Sequence, residues 1–89
     1  MNKINVKALQ WESENDGVIF TSPEGFDNAY FITAPNKGAN ESNKFELALI
    51  DKNGTCDEST TTMHETEYSA KLEAQEIFTS LVLKHVEVL

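Results

Sequence analysis

The spacing of apolar residues along this chain shifts from alternation to a helical period, and each run of regular spacing predicts one structural element. Ile4, Val6 and Ala8 alternate with Asn5 and Lys7, and Leu9 and Trp11 flank Gln10, which predicts a first strand over residues 4–11 with one face inward. Glu12 to Gly17 is polar and ends Asn-Asp-Gly, a composition that predicts a turn. Val18-Ile19-Phe20-Thr21 and Ala29-Tyr30-Phe31-Ile32-Thr33 are β-branched and aromatic, and Pro23 and Pro35 close them as second and third strands. Between residues 36 and 43 nearly every residue is a turn former and none is large and apolar, so an exposed, mobile loop is expected. Phe45, Leu47 and Leu49 alternating with Glu46 and Ala48 form the clearest period-two run, a fourth strand. Asn53-Gly54 after it is the signal for a type I′ hairpin turn flanked by Lys52 and Thr55. The return limb from Thr55 to Met63 is either an edge strand or an extended lead into a helix.

The period then changes. Ala70, Ala74, Ile77, Phe78 and Leu81 recur at helical offsets, so a helix from Thr66 to about Lys84 presents one apolar face. Thr66 is suited to cap it, Glu65 and Glu67 favour its positive end, and Lys84 and His85 favour its negative end. Roughly 19 residues make a helix about 28 Å long, enough to cross a small sheet. The predicted fold is a single α+β domain over residues 1–89: an antiparallel β-meander of four to five strands covered on one face by a C-terminal α-helix.

An 89-residue chain buries only about 60 to 65 per cent of its unfolded surface, which leaves one thin core and little room for an enclosed active site. Charge narrows the function further. Fifteen acidic residues face seven lysines and no arginine, a formal net charge of −8. Such a field repels nucleic acid, and the absent guanidinium removes the usual phosphate fork, so no direct DNA or RNA binding is expected. A protein with a basic surface is the partner it attracts. No apolar run reaches signal-peptide or membrane-span length, which predicts a cytoplasmic protein with no membrane partner, and the single Cys56 agrees with a reducing compartment. Asn40-Glu41-Ser42 and Asn53-Gly54-Thr55 fit the glycosylation pattern, read as coincidence without an export signal.

Catalytic and metal chemistry find little support. His64-Glu65-Thr66-Glu67-Tyr68 opens like a zinc-protease helix, but Tyr68 stands where the second histidine is required. Asp51-Lys52-Asn53-Gly54 begins like a calcium loop, yet the glycine arrives two positions early and position twelve is Thr62. Cys56 with His64 lacks a cationic neighbour to activate the thiol, since Asp57 and Glu58 oppose the thiolate. Every glycine falls in a predicted turn, and there is no phosphate loop. The expectation is therefore a non-enzymatic protein with no metal and no cofactor.

The residues that remain are surface groups. Glu12, Glu14 and Asp16 lie two apart, sharing a face in an extended chain at a spacing of about 6.6 Å. Together with Asp57 and Glu58 of the sheet, or Glu73 and Glu76 on the outer helix face, they are candidates for a negative interaction surface; dispersed solubilising charge is the alternative. Trp11, Tyr30, Phe31 and Tyr68 belong either to the core or to an open sheet face, where aromatics would make a partner or homodimer interface.

Leu9-Gln10-Trp11, Thr21-Ser22-Pro23-Glu24-Gly25, Tyr30-Phe31-Ile32 and the helix opening Thr66-Glu67-Tyr68-Ser69-Ala70-Lys71-Leu72-Glu73-Ala74-Gln75 together resemble small phage and prophage proteins with a β-meander and one C-terminal helix. That resemblance implies a mobile genetic element as source. It also implies a role in blocking a host protein or defence complex, in the manner of an anti-CRISPR protein or nucleic-acid mimic. A structural module that self-associates through the open sheet face is the alternative.

Overall fold

The computed structural model describes residues 8–15, 17–23, 26, 28–38, 40–51, 53–56 and 60–88. They form five strands and one helix: β1 (Glu12–Asn15), β2 (Val18–Thr21), β3 (Ala29–Thr33), β4 (Phe45–Ile50), β5 (Thr62–His64) and α1 (Glu67–Val88). The sheet is an antiparallel meander in the order β1-β2-β3-β4-β5, with α1 against β3, β4 and β5. This is the expected α+β architecture.

Register sorts the side chains into two faces. Tyr30 and Ile32 on β3 and Leu47 on β4 are fully buried and point toward α1. Ile19, Phe45 and Leu49 pack against that cluster from the same side. From the helix come Ala70, Ala74 and Phe78, four residues apart and all buried, with Ile77 and Val82 beside them. The two alanines let the backbone of α1 lie close to the sheet, while Phe78 meets Phe26 edge-on at 5.2 Å and Tyr30 at 6.5 Å. Thr66 caps the helix as expected, accepting from the Ser69 N–H at 3.0 Å, and Glu67 pairs with Lys71 one turn on at 3.2 Å.

Three expectations are corrected. Ala8–Trp11 form no strand, and residues 4–7 lie outside the described residues; the first strand is Glu12–Asn15, where a turn was expected. Leu9 instead drops into the core, and its N–H donates to Gln75 Oε1 at 2.8 Å. β1 is held by backbone pairing to β2 at the sheet edge, which asks nothing of its side chains, and a register irregularity follows Ser13. Gly17, at φ 80°, makes the following turn beside the Lys37 side chain, which leaves no space for a Cβ.

The second correction concerns the turn at Asn53-Gly54. Only Gly54 has positive φ, which excludes type I′. Asp51 organises the turn instead, accepting on Oδ1 from the N–H groups of Asn53 and Thr55 at 2.9 and 3.0 Å while its carbonyl accepts from Gly54. Ile50 and Cys56 form the flanking bridge.

The third concerns the loop between β3 and β4: residues 36–38, 41 and 43 are exposed as expected, but Asn40 turns inward and cross-braces it. Asn40 is buried, and its amide group donates to the carbonyls of Thr33, Ala34 and Lys44 at 3.1, 3.1 and 2.7 Å. Its Oδ1 accepts from the Ser42 N–H and hydroxyl. Turn-forming side chains here replace the backbone partners that a loop otherwise takes from water.

Candidate interaction surface

The sheet face turned away from α1 is uncovered among the described residues, and the strand register lays out what it carries. One row runs Glu12, Phe20, Phe31, Ala48 across four strands. The next runs Val18, Thr33, Glu46, Met63, and Ala29 opposite Ile50 begins a third. Phe20 and Phe31 stack at 5.6 Å with their planes 21° apart. Met63 is 41% exposed at the far edge. An aromatic pair thus lies between apolar neighbours, with one carboxylate in each of the first two rows.

The four candidate acids among the described residues do not gather into one cluster. Glu12 and Glu14 are exposed on the edge strand β1, Glu12 directly opposite Phe20. Asp16, Asp57 and Glu58 lie outside the described residues. Glu76 is exposed on α1 and Glu73 half-buried on its flank, and α1 has no packing contact with β1. Among the described residues, Glu46 shares the open face with Glu12; it was not among the candidate acids, although its place in the alternation of β4 was the available signal. Of the aromatics, Tyr30 is core, Trp11 packs against the core, Phe31 faces outward and Tyr68 is 71% exposed in the first helical turn.

His64 is a structural tie. Its Nε2 lies 2.8 Å from Thr62 Oγ1 and its Nδ1 3.3 Å from Ser69 Oγ, joining β5 to the first turn of α1. Cys56 is exposed and neighbours Thr61 Oγ1 at 3.9 Å, so the two residues are engaged elsewhere and form no nucleophile–base pair. Among the described residues no three His, Cys, Asp or Glu side chains converge on a metal position, and no helix is long and apolar enough to cross a membrane. Asn40, with its amide nitrogen buried against three carbonyls, is closed to glycosylation in the folded chain. Comparison with protein-family models, curated proteins and solved structures finds no match for this chain.

Proposed function

We propose that this chain is a non-enzymatic binding module that docks a basic, partly apolar protein surface on its open sheet face. The observation that carries the reading is the stacked Phe20–Phe31 pair on a face uncovered among the described residues, with Glu12 and Glu46 in the adjoining positions. Aromatic side chains supply the desolvated centre of an interface, and carboxylates beside them select lysine and arginine on the partner. A net charge of −8 steers such a partner inward and repels nucleic acid. The likeness to small phage proteins suggests the class of partner, a host defence complex in the bacterial cytoplasm that binding would inhibit.

The test is binding to a panel of purified host defence nucleases by wild type, Phe31→Ser, and the double reversal Glu12→Lys with Glu46→Lys. Expected are slower association as salt rises, a further loss of association rate in the double reversal, and faster dissociation in Phe31→Ser. An interaction indifferent to all three changes would place the contact elsewhere. The same aromatic face supports a second reading, pairing with another copy of the chain, which the like charge of two copies opposes. Sedimentation separates them: a dimer that Phe31→Ser dissociates favours self-assembly.

A further inference from the structure

On the opposite side of the sheet, the second half of α1 and the start of β3 border an open, shallow groove of about 510 Å3. Ile77 and Leu81 of the helix form its apolar wall. The polar groups in its lining are the Asn28 amide, the Ser80 hydroxyl and the Lys84 ammonium, none of which bonds through its side chain to another described residue. Tyr30 makes the floor. Its ring is wholly buried, and its hydroxyl is the one buried side-chain polar atom among the described residues without a hydrogen-bond partner. A buried hydroxyl left unpaired is costly, so native structures rarely retain one without a reason.

Each of the four polar groups is able to donate a hydrogen bond, and Lys84 can only donate. A ligand suited to them brings acceptor oxygens and an apolar body. We propose that this groove binds a small carboxylic acid with an aliphatic body, the carboxylate meeting Lys84 and the Tyr30 hydroxyl and the chain lying along Ile77 and Leu81. The site is separate from the open sheet face, on the other side of the β-sheet. The Tyr30 hydroxyl is buried beneath the lining, so an acceptor reaches it only where the side chains around it, Leu81 among them, give way.

The probes are octanoate and octanamide, titrated into the 15N-labelled full-length chain and followed by amide chemical shifts. Octanoate is expected to give saturable shifts at Ile77, Leu81 and Lys84, with a dissociation constant on the order of millimolar for a ligand of this size. Lys84→Gln is expected to weaken octanoate about fivefold while leaving octanamide unchanged, and Tyr30→Phe to weaken both about fivefold. Shifts that do not saturate, or that fall on Phe20 and Phe31, would overturn the site. So would an octanoate affinity that neither substitution alters, in variants whose spectra remain dispersed and folded.

Discussion

The backbone N–H of Leu9 donates to the side-chain oxygen of Gln75 at 2.8 Å, a bond between residues 66 apart in sequence. It anchors the segment that precedes the sheet to the middle of α1, and it does so on the helix flank next to buried Ala74. Because the strand expected at Leu9 is missing, this bond takes the place of a ladder partner. Gln75→Ala leaves a part-buried N–H unpaired and is expected to cost about 1 to 3 kcal/mol in urea unfolding. Gln75→Glu keeps an acceptor at the same reach and is expected to recover at least half of that loss at neutral pH. Equal losses in the two variants would mean that the Gln75 amide NH2, which donates to Thr79 Oγ1, and not the bond to Leu9, carries the contribution.

Phe78 is the large side chain by which α1 grips the sheet, buried to 7% exposure and in edge contact with Phe26 and Tyr30. Phe78→Ala is expected to destabilise the domain by about 3 to 5 kcal/mol, the usual cost of removing a buried aromatic ring. For a chain with only one thin core, that is a large share of total stability. Circular dichroism at room temperature should show a partly unfolded population. A loss below about 1 kcal/mol would contradict the placement of the stripe against the sheet.

Where periodicity reports burial, the chain was legible. Phe45, Leu47 and Leu49 turn toward α1 as their alternation requires, and Ala70, Ala74 and Phe78 form the buried stripe of the helix. The displaced first strand was not legible, because β1 at a sheet edge is specified by backbone pairing and its exposed Glu and Ser side chains carry no alternation. The braced loop was also hidden. Turn-forming composition says that a loop exists, but only three-dimensional closure brings Thr33, Ala34 and Lys44 within reach of one amide. For the candidate surface, Glu12 and Glu14 were found as exposed acids, but the pairing of Phe20 with Phe31 beside Glu46 depends on strand register. Register is set by the whole sheet and not by any window of residues.

Asn40 closes the loop between β3 and β4, and at 2% exposure it has no access to water in place of its protein partners. Asn40→Ala removes a donor from the carbonyls of Thr33, Ala34 and Lys44 and the acceptor from the Ser42 N–H and hydroxyl, while the Ala34 carbonyl keeps the Lys37 N–H and the Lys44 carbonyl keeps the Ser42 hydroxyl. A loss of about 2 to 4 kcal/mol is expected, more than one ordinary hydrogen bond because several groups lose a partner at once. Amide hydrogen exchange should localise the effect: protection falls first at Asn36 and Asn40, whose N–H groups are bonded within the loop, and later in the helix. Uniform loss of protection would show instead that the loop and the sheet unfold as one unit.

The Tyr30 hydroxyl couples stability to alkaline pH. Tyr30→Phe removes a buried oxygen that has no partner while keeping the ring that meets Phe78, so it is expected to stabilise the chain by about 1 kcal/mol at pH 7. Burial also raises the phenol above its ordinary value of 10.0, because the low-dielectric interior disfavours the phenolate. The folded state therefore holds this proton more tightly than the unfolded state. That contribution is fully present below pH 10.0 and is lost as the pH rises through 10.0 toward the folded value, where the unfolded chain ionises first. Phenylalanine has no proton to lose. The stability advantage of Tyr30→Phe should accordingly be flat from pH 7 to about 9 and widen above pH 10, read as the difference between urea midpoints across the series. A variant less stable than wild type at pH 7 would reveal an ordered water on the hydroxyl. A gap that stays constant through pH 11 would mean that the phenol titrates alike in the folded and unfolded chains, and so is not shielded by the core.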